Sequence, residues 1–281
     1  MPPRGKQAAG KERAQAADAR QEPEPLPVSV CMLVLNEADR LPRTLPPLRA
    51  FAEVIVYDSG STDLSLRLCE EFGARIERGP WLGFSETRRR LFSLARQPWI
   101  LWLDADEVVT DKLLAAMRRE LTGNEPACAA YAINRIVCFQ RQWIRHGDWF
   151  PDWNVRLFRQ DAWSIPGRAV HEAVRIEGKV CRLTGLIEHF TYRDWADQRR
   201  RSERYANLWA EQALAEGRRG GRVRGLARAG WRLFRGIVFK TGFLDGVLGL
   251  QVAWANACEV YGKYRQLGEL WRARQGEQAG R

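Results

Sequence analysis

Apolar, β-branched runs that stop on acidic residues constrain this chain more than anything else in it. VSVCMLVL begins at Val28 and is followed by Asn36 and Glu37; EVIVYD begins at Glu53 and stops on Asp58; PWILWLDADE begins at Pro98 and carries Asp104 and Asp106 at its end. Short continuous apolar runs bounded by turn signals are the pattern of strands buried on both faces. Helical stretches separate them. One follows the first run towards Ala50, shortened or interrupted by Pro42, Pro46 and Pro47. LSLRLCEEFG leads to a glycine stop at Gly73, a short strand is expected over Ala74–Glu77, and residues 83–96 read as a further helix. Such alternation predicts an α/β fold: a Rossmann-like, mostly parallel sheet flanked by helices. Ligands of such sheets bind at the carboxyl ends of the strands, where these acids fall.

From about 127 to 192 short apolar runs, turns and tryptophans complete the sheet and shape an acceptor pocket in this reading. Beyond Trp195 the composition shifts to Arg, Ala, Leu and Gly. The expected organisation is a disordered tail over 1–27, a sheet domain over 28–195 and a basic, mainly helical, membrane-associating extension over 196–281. The tail has no apolar run, so it is not read as a secretory signal, and a cytoplasmic location is expected. The six cysteines show no metal-site or redox spacing and are expected to be reduced and mostly buried. A net charge of +11 favours polyanions: acidic lipid, phosphorylated glycolipid or nucleic acid.

Two carboxylates one residue apart at a strand end, Asp104 and Asp106, can share a hard divalent cation with the phosphates of a nucleotide. An acidic turn gives the same pattern without a ligand. Asp58, before a turn eased by Gly60, is placed to accept from a base or ribose hydroxyl, while Ser61 or Asp63 needs only a helix-capping role. Glu172 is the candidate general base, and neighbouring His171 is a base, a metal ligand or a surface histidine. His146 and His189 carry weaker signals. Trp143, Trp149, Trp153 and Trp163, interleaved with Arg141, Arg145, Arg156 and Arg159, suit sugar faces and phosphates, or simply the core.

Within the extension, Arg224, Arg228, Arg232 and Arg235 share a helix face, with Leu226, Leu233, Phe234 and Ile237 roughly opposite. This pattern describes either a basic amphipathic helix lying on an anionic bilayer or a domain-packing helix with an arginine stripe. The charge-free stretch from Gly246 to Cys258 is shorter than the roughly 20 residues a spanning helix needs.

Taken together, LNEADRLPRTL, VYDSGSTD, WLDADE, PDWNVRLFRQ, AVHEAV and GFLDGVLGLQVAWANACEVYGKY resemble glycosyltransferase family 2 over about residues 28–267. Within it they look like bacterial lipopolysaccharide core glucosyltransferases acting on inner-core heptose. The resemblance implies a GT-A fold and inverting transfer from a UDP-sugar with Mg²⁺ or Mn²⁺. It places Glu37 and Asp58 at the nucleoside, Asp104 at the ribose or metal, and Asp106 at the metal. It also implies a phosphorylated glycolipid acceptor, peripheral contact with the cytoplasmic face of the inner membrane, and no nucleic acid. A nucleotidyltransferase is the rival enzyme, although LNEADR lacks a glycine- and lysine-rich phosphate loop. A non-catalytic basic membrane- or nucleic-acid-binding module is the rival from outside enzymes.

Overall fold

The computed structural model describes residues 24–122, 126–165 and 174–279, with side chains to Gln275. Its centre is a mixed sheet built from β1 (Leu26–Val34), β2 (Phe51–Asp58), β3 (Arg75–Arg78), β4 (Trp99–Asp104), β5 (Glu107–Val109), β6 (Ala130–Phe139), β7 (Gln142–Ile144), β8 (Asp152–Arg159) and β11 (Val180–His189). The spatial order is β3-β2-β1-β4-β8-β6-β11-β5, with β7 against β6. A separate small ribbon pairs β9 (Trp163–Ser164) with β10 (Arg175–Ile176).

β3, β2, β1 and β4 are parallel neighbours. β8 is antiparallel to both β4 and β6, and β11 is parallel to β6. It follows that β1, β2, β4, β6 and β11 all end at one edge of the sheet. The α/β expectation holds, with β5, β7 and β8 running against the parallel majority.

Alternation along the strands feeds a core on each face. Val30, Met32, Val56, Leu101 and Leu103 join Leu113 and Met117 of α4 (Asp111–Leu121) on one side. Cys31, Ile55, Tyr57 and Ile100 meet Leu91 and Phe92 of α3 (Phe84–Ser93) on the other. The prolines break the first connection as expected, into α1 (Leu41–Thr44) and a 3₁₀ turn over Pro46–Ala50. α2 (Ser65–Phe72) stops at Gly73, whose φ of 91° is the left-handed terminator the sequence implied. β1 starts before the expected Val28, because Leu26 is fully buried and pairs with Phe51.

The extension is helical, as expected: α5 (Trp195–Ala215), α6 (Arg222–Phe234) with a π-helical turn over Arg235–Phe239, a 3₁₀ turn over Gly242–Asp245, and α7 (Gly246–Ala279). It packs on the sheet domain: Leu248 and Val252 of α7 join Val137, Phe139 and Ile144. No single helix among the described residues is long and apolar enough to cross a membrane, and residues 222–239 meet 242–275 at a 74° bend.

The expectation of six unpaired thiols is overturned. Cys128 is bonded to Cys181 with Cα atoms 6.1 Å apart. Cys128 lies just before β6 and Cys181 at the start of its parallel neighbour β11, so the sheet joins residues the sequence holds 53 positions apart. Of the other four, Cys31 and Cys69 are buried, whereas Cys258 is exposed.

Candidate functional site

Each strand-end acid predicted from sequence and present among the described residues reaches the same sheet edge. β1 ends into Asn36, held at φ 57°, and Glu37. The loop is stitched to the turn after β2: Asn36 N–H donates to Ser61 Oγ at 3.0 Å, Thr62 N–H to Asn36 Oδ1 at 2.8 Å, Glu37 N–H to Ser65 Oγ at 2.8 Å and Ala38 N–H to Asp63 Oδ2 at 3.1 Å. Asp63 is thus a loop-fixing residue. Asp58 is buried and accepts from the N–H groups of Gly60 and Ser61 at 3.1 Å. Gly60 sits at φ 120°, the conformation that made glycine the expected residue there.

Asp104 and Asp106 flank the step from β4 to β5. Asp104 Oδ2 accepts from Arg156 Nη2 at 3.0 Å. The same Arg156 nitrogen donates to Glu107 Oε1 at 2.7 Å, Arg135 Nη1 donates to that oxygen at 2.8 Å, and Asp104 N–H donates to Glu107 Oε2 at 2.9 Å. Fully buried Glu107 therefore fixes the turn that presents both aspartates, and its charge is matched by two guanidiniums. Burial works to raise the Asp104 carboxyl, but the charge and hydrogen bond of Arg156 together with the Arg88 charge hold the group below the ordinary carboxylate value.

Asp106 is nearly buried, with Oδ1 3.4 Å from His189 Nε2 and Oδ2 3.8 Å from Arg40 Nη1. Burial again pushes upward, and the His189 hydrogen bond with the Arg40 charge brings the net shift below the ordinary value. Arg40 also donates to Glu37 Oε2 at 2.7 Å and to the Thr191 carbonyl at 3.1 Å, tying the end of β1 to the end of β11. Glu37 moves the other way: burial lifts its carboxyl above the usual range against the pull of Arg40.

A model described as glycosyl transferase family 2 matches residues 29–180, more than half of the chain and including every one of these strand-end acids. The chain belongs to glycosyl transferase family 2. Lipopolysaccharide core biosynthesis glycosyltransferase LpsC of Rhizobium meliloti (strain 1021) is 26% identical over 259 residues, covering 85% of this chain and 93% of that one. Among solved structures, S. aureus TarS 1–349 in complex with UDP-GlcNAc is 14% identical at a TM-score of 0.44, covering 88% of this chain and 91% of that one. Glucosyl-3-phosphoglycerate synthase from Mycobacterium tuberculosis, in complex with Mn²⁺, UDP and glucosyl-3-phosphoglycerate, is 16% identical at a TM-score of 0.38, covering 63% and 75%. The protein is a glycosyltransferase.

For a family 2 transferase, the question of a metal turns on the donor atoms. Among the described residues no group of three or more His, Cys, Asp and Glu is assembled as a metal site. Hard cations bound with nucleotide phosphates need only one or two protein carboxylates, and Asp104 and Asp106 supply ionised ones. The donor chemistry fits.

Glu172 and His171 fall in residues 166–173, outside the described residues. Sequence reasoning gave no role to Arg40 or Glu107 and little weight to His189. The only local signal for His189 was its position at the end of an apolar strand, and its nearness to Asp106 depends on β11 pairing with β5, where His189 stands opposite Glu107. Two of the tryptophans read as possible sugar platforms pack against the core: Trp163 on Phe92, and Trp149 on Phe139, with its Nε1–H donating to Asn256 Oδ1 at 3.1 Å. Trp153 is partly exposed, with Arg182 over its ring at 4.7 Å. A cavity of about 830 Å³ lies between α5 and α7, and none of the strand-end carboxylates lines it.

Proposed function

We propose that this family 2 enzyme transfers a sugar, glucose by the sequence resemblance, from a UDP-sugar to a lipopolysaccharide inner-core heptose or similar phosphorylated glycolipid, with inversion, at the cytoplasmic face of the inner membrane. The observation that carries the reading is the convergence of Glu37, Asp58, Asp104 and Asp106 on one sheet edge, built from the ends of β1, β2 and β4. The similarity to LpsC supports a lipopolysaccharide acceptor.

In this scheme Asp58 and Glu37 contact the nucleoside. Asp106, with Asp104, would hold Mg²⁺ or Mn²⁺, and His189 is the imidazole set beside that carboxylate. The cation would neutralise charge gathering on the departing diphosphate. Arg156, Arg135 and Glu107 keep the aspartate turn rigid, so that little reorganisation is needed as charge develops. The acceptor hydroxyl oxygen forms its bond to the anomeric carbon as the bond from that carbon to the diphosphate oxygen breaks. UDP leaves with the electron pair, and the hydroxyl proton passes to Glu172, the base assigned from sequence.

The test is UDP release by the purified chain with Mn²⁺ or Mg²⁺ over a panel of UDP-sugars, with and without a heptose-containing lipid acceptor. Acceptor-stimulated release from one donor, lost with EDTA, is the expected result. No release from any donor, together with no nucleotide binding, defeats it.

A further inference from the structure

Helix α6 and the turn after it hold part of the arginine stripe against a buried carboxylate and leave large apolar side chains exposed. Two members of the stripe point inward: Arg232 Nε lies 2.7 Å from Asp148 Oδ2, and Arg235 Nη2 lies 2.5 Å from Asp148 Oδ1, on a carboxylate only 3% exposed. Arg228 lies over the Tyr264 ring at 5.5 Å, and Arg224 donates to the Arg219 carbonyl. The apolar side faces outward, with Val223 83%, Leu226 62%, Trp231 58% and Phe239 66% exposed. Trp231, Phe234 and Phe239 form a mutually packed aromatic cluster with centroids 5.6 to 6.0 Å apart, yet all three are exposed. Across the bend the surface continues through Phe243, Leu244, Val247 and Trp254, beside the apolar groove between α5 and α7. An amphipathic helix in water normally turns the other way, and a contiguous apolar patch of this kind marks an interaction surface.

Charge selects the occupant. Between Glu216 and Asp245 the chain holds no acidic residue, while Arg219, Arg222, Arg224, Arg228 and Lys240, in the same segment, are exposed. A second copy would bring the same positive charge against this one. An anionic bilayer is complementary to both parts, with headgroups for the basic residues and acyl chains for the aromatics.

The geometry points to a membrane-inserting corner. We propose that residues 223–254 dock this protein on anionic membranes by burying Trp231, Phe234, Phe239 and their neighbours below the headgroups, while Asp148 fixes the corner to the catalytic domain. This combines the two readings of the helix, because Arg232 and Arg235 pack on Asp148 while the apolar side chains stay exposed. Leu248 and Val252 pack on Val137, Phe139 and Ile144, and β6 lies beside β11 in a register that sets Val137 opposite His189, the neighbour of Asp106. The corner is therefore built onto a strand that ends at the sheet edge carrying the candidate donor site. The inference deepens the membrane-borne acceptor reading above and rests on it for its biological sense; the binding itself is measurable with neither donor nor acceptor.

The experiment is flotation of the full chain with vesicles of phosphatidylcholine alone or mixed with phosphatidylglycerol. Wild type is expected to float with the anionic vesicles. The double variant Trp231→Ser, Phe239→Ser is expected to lose about a hundredfold in partitioning, roughly tenfold for each side chain withdrawn from lipid, with its melting temperature and UDP release in solution unchanged. In a Cys258→Ser background, an environment-sensitive dye on Val238→Cys is expected to shift its emission to the blue on addition of anionic vesicles. Equal flotation of the double variant, no dye shift, or a stable dimer in light scattering that hides the face from vesicles overturns the proposal. Failure of the transferase reading leaves the flotation, dye-emission and melting-temperature readouts intact.

Discussion

Nε2 of His189 lies 3.4 Å from Oδ1 of Asp106, although 83 positions separate them in the chain. The contact exists because β11 pairs antiparallel with β5, and Phe190 N–H donates to the Asp106 carbonyl at 2.9 Å. An imidazole is thereby fixed beside the carboxylate assigned to the metal. His189→Ala is expected to raise the Mn²⁺ concentration for half-maximal UDP release by about 10–100-fold, the usual effect of losing a group that orients or supplements a metal ligand. An unchanged Mn²⁺ titration would leave His189 a packing residue.

Arg156 is 3% exposed in its side chain and serves both Asp104 and Glu107. Arg156→Met leaves Arg135 as the only guanidinium bonded to buried Glu107. Stability is expected to fall by about 3–5 kcal/mol, the range for breaking a buried ion pair from one side. Urea denaturation followed by circular dichroism measures this, and a loss under about 1 kcal/mol would mean that the surroundings can compensate the charges unaided.

The start of α5 is closed by a reciprocal cap: Asp197 N–H donates to Asp194 Oδ1 at 2.7 Å, and Arg193 N–H donates to Asp197 Oδ2 at 3.3 Å. Burial opposes ionisation of Asp197, but the Arg193 hydrogen bond and Arg201 prevail and lower its pKa. A carboxyl lowered in the folded state stabilises above its unfolded value and loses that contribution as pH falls through the folded one. Asp197→Asn is therefore expected to cost about 1 kcal/mol at pH 7, with the gap in melting temperature closing towards pH 3. An equal gap at both pH values would contradict the linkage.

Thiol chemistry separates the cysteines. Burial, with the nearby Asp58 charge, raises Cys69 to about 11, and burial raises Cys31 still more strongly. Cys258 is exposed. Brief alkylation of the native protein at pH 8 is expected to modify Cys258 ahead of Cys31 and Cys69. Unfolding without reductant is expected to release four titratable thiols, since Cys128 and Cys181 are bonded. Six thiols under those conditions would contradict the pairing.

The sequence made the parallel half legible because β1, β2 and β4 are continuous apolar runs whose polar ends mark strand termini. Asp58, Asp104 and Asp106 could be placed at the ligand edge from that alone. What stayed hidden depends on pairing between distant strands. Arg135 and Arg156 look like surface charges in a mixed run until β6 and β8 carry them beside Glu107, and Cys128 meets Cys181 only across β6 and β11. The arginine stripe of α6 was legible as a pattern, with the bilayer and domain-packing readings both open. Periodicity fixes which residues share a face, whereas the carboxylate of Asp148 decides which face turns inward.

The central claim is that the strand-end carboxylates form a metal-dependent UDP-sugar site. Its most direct test is calorimetric titration of UDP into the full chain with Mn²⁺, with EDTA, and with Mn²⁺ in the Asp106→Asn variant. The account predicts binding by wild type with Mn²⁺ that is lost with EDTA and weakened by about tenfold or more in the variant, a cost of about 1.4 kcal/mol or greater. UDP binding of equal strength under all three conditions would contradict it.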